Sequence, residues 1–206
     1  MDSLASARIA AENGASRLEL CSCLIVGGLT PDPALLRQVR QAVSIPIRCL
    51  IRPRFGDFCY TEEEISLMED QITVLRECGA DGFVIGCLTP DGDLDEAQMQ
   101  RLIRAAGGRG LTLHRAFDVS RDAVAALHDA VRLGIDTVLT SGQAASCREG
   151  RACIETLLAQ NLPIEIMPGG GVDAAVIQEL TAQYPLRTFH MSGKTVLSSR
   201  MRFRRQ

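Results

Sequence analysis

"CGADGFVI" (residues 78–85) decides the architecture, because the chain repeats it. Gly79 can take the left-handed conformation that ends a helix, and a short apolar strand follows at once. The same joint returns as "NGASRLEL" (13–20), with Gly14, and as "LGIDTVLT" (133–140), with Gly134. Short apolar strand candidates occur at 17–21, 46–52, 82–87, 111–115, 137–141, 163–168 and 187–192, seven in all. Amphipathic helices separate them. Ile65, Met68, Ile72 and Leu75 recur at helical spacing in 62–77, and Val124, Leu127 and Val131 do so later. A helix that returns the chain between strands makes those strands parallel.

A regular strand–helix series without a second kind of region predicts an α/β fold, a TIM (β/α)8-type barrel, in one domain over 1–206. The chain opens on a helix at about 3–13 and runs only a little past the seventh strand. The barrel is therefore read as lacking its first strand, expected before Asp2, and its last helix, expected after Gln206.

Composition narrows the function classes. With 46% hydrophobic and 23% charged residues in 206, the chain can build one sizeable core. A net charge of −3 argues against a nucleic-acid or membrane-surface partner, and the basic "RMRFRR" (200–205) reads as a solvated end. No apolar run approaches the ~18 residues that span a bilayer, and the start lacks signal-peptide features, so a cytoplasmic location is expected. Of eight cysteines, Cys49, Cys78, Cys87 and Cys153 fall inside strand or helix patterns and read as reduced, small apolar fillers.

Barrel strands alternate inward and outward residues, and active sites form at their C-terminal ends. On that parity Arg17, Glu19 and Cys21 point inward from one strand, and Arg48, Leu50 and Arg52 from the next, with Arg54 just beyond. Thr112 and His114 share the inward face of "LTLHR", as do Thr188, His190 and Ser192 in "RTFHMS". Lumens are normally layered with Val, Ile and Leu, so this polarity points to a site. Glu19 and His114 are the candidate proton carriers, and Arg52 and Arg54 the candidate anion holders. Arg115, Asp118, His190 and Ser192 are further candidate ligand contacts at the same mouth. His114 also fits a satisfied core histidine, and Arg115 with Asp118 a structural pair fixing the loop.

"MPGGGVD" (167–173) precedes a helix expected from about Asp173, so Gly169, Gly170 and Gly171 can bring backbone N–H groups to an anion. They also fit a tight loop. Ser141 in "TSG" (140–142) offers further donors. Cys21 and Cys23 form a C-x-C pair that would suit a soft ion such as Cu(I).

In chain order, "RLELCS", "GGLTPD", "IRPRFGDFCY", "GADGFVIGCLTPDGDLD", "LHRAFD", "LTSG", "MPGGGV" and "FHMS" resemble the CutC family, named for copper homeostasis, over nearly all of 1–206. The resemblance implies a cytosolic TIM-type barrel, often a homodimer, with copper at cysteines near the rim; Cys21 in "LELC" is the position that carries over. Phe55 stands where the family usually has glycine, and "MSGK" (191–194) replaces a serine-alanine-arginine ending, with Lys194 in place of the arginine. Two readings follow. The first is a copper-homeostasis protein binding Cu(I) through Cys21 and Cys23, with no organic cofactor. The second is an enzyme acting on a small phosphorylated or carboxylated ligand by acid/base chemistry.

Overall fold

A computed structural model describes residues 1–193, 195 and 198–205. Its six strands are β1 (Leu18–Leu20), β2 (Ile47–Leu50), β3 (Gly82–Ile85), β4 (Gly110–Leu113), β5 (Thr137–Thr140) and β6 (Glu165–Pro168). They form one parallel sheet in chain order, curled into a half-barrel. The helices are α1 (Leu4–Glu12), α2 (Pro33–Ala42), α3 (Glu62–Glu77), α4 (Glu96–Ala106), α5 (Ala123–Arg132), α6 (Arg151–Leu158) and α7 (Ala174–Gln183).

Local chemistry explains where the helices begin and end. Asp32, Asp95, Asp122 and Asp173 each accept a hydrogen bond from a backbone N–H in the first turn of α2, α4, α5 and α7. Thr61 and Glu64 close a reciprocal capping box on α3. Gly14, Gly79 and Gly134 take φ of +87°, +96° and +77°, as the repeated joint requires.

The main core lies between the sheet and its helices, with Leu18, Leu20, Ile47, Phe83, Ile85 and Leu113 meeting Leu36, Met68, Ile72 and Leu127. Cys21, Leu50 and Val84 form a separate small apolar cluster on the inner face. The α3 stripe is Ile65, Met68, Ile72 and Leu75, as the spacing predicts. On α5 the buried stripe is instead Ala123, Ala126, Leu127 and Ala130, with Val124 and Val131 half-buried. Small residues let that helix pack close, which a count of large apolar side chains misses.

The expected seventh strand does not form. Segment 187–192 runs beside β6 and makes one ladder bond, from His190 N–H to the Pro168 carbonyl (2.8 Å). The preceding rung would need an N–H from Pro168, and proline has none. Among the described residues no helix is long and apolar enough to cross a membrane.

Candidate functional site

The C-terminal ends of the strands gather most of the singled-out residues. Glu19 on β1 faces His190, with Oε2 and Nε2 3.5 Å apart and the side chains 21% and 32% exposed. Burial pushes the Glu19 carboxyl up, but the His190 charge and hydrogen bond outweigh it and hold it below its ordinary range. Burial works against protonated His190, yet Glu19 holds its pKa above the usual histidine value. The two shifts agree on an ion pair.

His114 follows β4 directly and is 5% exposed. Its Nδ1 accepts the Ala116 N–H at 3.1 Å, and its ring lies 4.8 Å from the Phe58 ring, centroid to centroid. Burial lowers its pKa to about 4, with Arg52 acting in the same direction and Glu19 opposing. Its Nε2 is buried and meets no partner among the described residues.

Arg52 and Arg54 chiefly hold loops. Arg52 donates from Nη1 to the Val26 and Gly28 carbonyls (3.1 and 3.3 Å) and from Nη2 to the Gly56 carbonyl (2.9 Å). Its guanidinium lies 5.1 Å from the centre of the Phe58 ring, and its buried Nε has no partner among the described residues. Arg54 binds Glu64, Asp57 and the Cys59 carbonyl and covers the Tyr60 ring, so it anchors the start of α3.

Arg115 and Asp118 pair at 2.7 Å and clamp the loop after β5. Asp118, with its side chain 5% exposed, also accepts from Thr140 Oγ1, from the backbone N–H and Oγ of Ser141, and from the Gln143 N–H. Arg115 Nη2 reaches Ser141 Oγ at 2.7 Å.

The three glycines after β6 divide their work. Gly169 N–H continues the ladder to the Thr140 carbonyl, and the Gly170 carbonyl accepts the Cys147 N–H. Gly170 and Gly171 hold φ of +84° and +74°, and their N–H groups find no protein acceptor among the described residues. Ser192 is exposed, and Lys194 lies outside the described residues.

Cys21 is 3% exposed, and burial raises its pKa, keeping the neutral thiol, which donates to the Met1 carbonyl at 3.4 Å. Cys23 is exposed at φ +52°. One sulfur is thus in the lumen wall and the other in solvent, so the C-x-C pair is not a closed ion pocket. All eight cysteines are free thiols.

Sequence reasoning missed Phe58 and Gly86. A Cβ on Gly86 would lie 2.6 Å from His114 Cε1 and 2.7 Å from Nδ1. The available signal was a glycine on the inward parity of the β3 segment, where a strand normally avoids one.

These features define a parallel α/β half-barrel of TIM type in which, among the described residues, the buried nitrogens of Arg52 and His114 stand without partners at the C-terminal ends of β2 and β4. The match to the CutC family model spans residues 1–195, and the chain belongs to that family. The CutC family protein of Pasteurella multocida strain Pm70 is 43% identical over 202 residues, covering 98% of this chain and 83% of that one. A relative from Xanthomonas campestris pv. campestris strain 8004 is 46% identical, covering 94% of this chain and 81% of its own. Among solved structures, CutC from Streptococcus agalactiae, provisionally named for copper homeostasis, superposes with a TM-score of 0.87 at 31% identity, covering 92% of this chain and 94% of that one.

Proposed function

We propose that this chain is an enzyme that binds a small phosphorylated or carboxylated substrate at the C-terminal mouth of the half-barrel and moves a proton there. One observation carries the reading: Glu19, His114 and His190 converge on the inner face from three separate segments, where apolar layers are the rule. The Glu19–His190 pair supplies a proton donor and acceptor. The N–H groups of Gly170 and Gly171, which meet no protein acceptor among the described residues, supply anion donors beside the start of α7. Calorimetric titration with inorganic phosphate, oxalate and acetate is expected to give saturable binding of at least one. His190→Asn should weaken that binding at least ten-fold, since losing a hydrogen-bonded charged partner costs about 2–5 kcal/mol. Heats of dilution alone for all three anions would overturn the reading.

The second reading is Cu(I) carried through Cys21, with Cys23 as the other sulfur. Family membership favours it, through the copper-homeostasis name of the Streptococcus agalactiae relative, as does the place of Cys21 at the inner end of β1. A soft ion would have to displace the thiol proton that burial retains. Competition with a Cu(I) chelator is expected to show Cys21→Ser binding at least ten-fold more weakly, with Cys153→Ser unchanged. Equal affinities would end this assignment.

A further inference from the structure

His114 is packed so that a single ring atom remains for a ligand. Because Nδ1 accepts a main-chain N–H, it carries no proton, and the ring proton of the neutral side chain sits on Nε2. Protonating Nδ1 would turn that acceptor into a donor facing another donor. The charged groups facing the ring are Glu19 from β1 and Arg52 from the end of β2; burial, with Arg52 beside it, outweighs the opposing Glu19 charge and leaves the imidazole uncharged at neutral pH. His114 is thus poorly suited to carry a proton at either nitrogen, but Nε2–H is a well-formed donor.

That donor is costly as it stands. A buried N–H without an acceptor loses about 1–3 kcal/mol, and such groups are rare in folded proteins. Two neighbours maintain it. Phe58 covers the ring, and Gly86 leaves the space on which the imidazole rests. Gly86 does not have the positive φ that favours glycine, so the requirement here is room rather than backbone conformation. Arg52 Nε is a second buried donor that meets no partner among the described residues, beside the same phenyl ring.

We propose that His114 is a neutral hydrogen-bond donor whose Nε2–H takes a carboxylate oxygen of the ligand, and that Gly86 is the positioning residue that sets the ring for it. This rests on the anion-binding reading above and narrows it to a carboxylated substrate. Two buried donors without partners among the described residues, the neutral His114 Nε2–H and the charged Arg52 Nε–H, each lie against the Phe58 ring and equal in number the two oxygens of a carboxylate. Phosphate presents more oxygens and is better served by the amides of Gly170 and Gly171. An uncharged imidazole also polarises an oxygen without giving up its proton, as a neutral histidine can in other barrel enzymes.

The test is proton–nitrogen NMR on the full chain with ¹⁵N-labelled histidine, using oxalate and inorganic phosphate as probes. His114 should show the Nε2–H tautomer and no titration from pH 5 to 8, and its Nε2–H resonance should move with oxalate but not with phosphate. Gly86→Ala should shift that resonance in the free protein and weaken oxalate at least ten-fold, with phosphate affinity retained. The measurements on the unaltered protein stand even if the variant folds poorly. Titration of His114 in that range, an Nδ1–H tautomer, or oxalate binding that leaves Nε2–H unmoved would overturn this role alone. Heats of dilution alone for oxalate, phosphate and acetate would remove the anion-binding reading and this role together.

Discussion

Asp118→Ala is expected to destabilise the protein by about 3–5 kcal/mol, the largest loss for any single polar side chain considered. The carboxylate gathers donors from the loop after β5, and two of their residues, Thr140 and Ser141, are fully buried. Without it the Thr140 hydroxyl and the Ser141 N–H keep their burial and lose their acceptor, at about 1–3 kcal/mol each. Arg115, 45% exposed, can turn to water, so its share of the loss is small. In a chain of this size the melting temperature should fall by roughly 10 °C. Asp118→Asn, which keeps one acceptor oxygen, should lose about half as much. Urea denaturation gives the magnitude, and hydrogen exchange should localise it to the Ser141 and Gln143 amides. A loss below about 1 kcal/mol would mean that the loop after β5 holds itself.

The parts of this molecule legible in its sequence are those fixed by local backbone chemistry. Gly14, Gly79 and Gly134 announce helix ends because positive φ is a property of one residue, and two-residue alternation placed Glu19 and His114 on the inner face without tertiary information. What stayed hidden depends on partners distant in the chain. Arg52 could be seen as a charge in the lumen, but its acceptors are carbonyls at Val26, Gly28 and Gly56, which carry no side-chain signature. Gly86 is a glycine because of a ring on the next strand segment. The inward position of Cys21 was readable, but the burial that keeps its thiol protonated was not. The seventh strand keeps a single rung: Pro168 lacks the N–H for the one before it, and Gly170, at φ +84°, does not offer its N–H to the one after.

The lower lumen makes the complementary case, because there the polar groups are paired. Arg48 donates from Nη1 to Thr112 Oγ1 at 2.6 Å and to Asp136 Oδ1 at 2.7 Å, and Thr137 joins Asp136 to Glu165. Its stem fits because β3 and β4 carry glycine where it passes: a Cβ on Gly82 would lie 2.9 Å from Arg48 Cγ, and one on Gly110 2.6 Å from Nη2. Groups at the N-terminal ends of barrel strands serve stability, so Arg48→Met should unsettle the fold and leave anion binding above it intact. Removing one partner of a buried pair costs about 3–5 kcal/mol; Asp136 is 45% exposed and can regain water, which reduces the expected loss to about 2–3 kcal/mol. Acid supplies the control. Burial raises the Asp136 pKa, but hydrogen bonds from Arg48, Thr137 and the Leu111 N–H outweigh it and hold the carboxyl below its ordinary 3.8. A depressed carboxylate contributes stability above that value and loses it as pH falls through the folded pKa. The gap between the two proteins in urea should therefore be full at pH 5–7 and narrow progressively below pH 3.8. An equal gap in strong acid would show that Arg48 acts through the packing of its stem between the two glycines rather than through its charge.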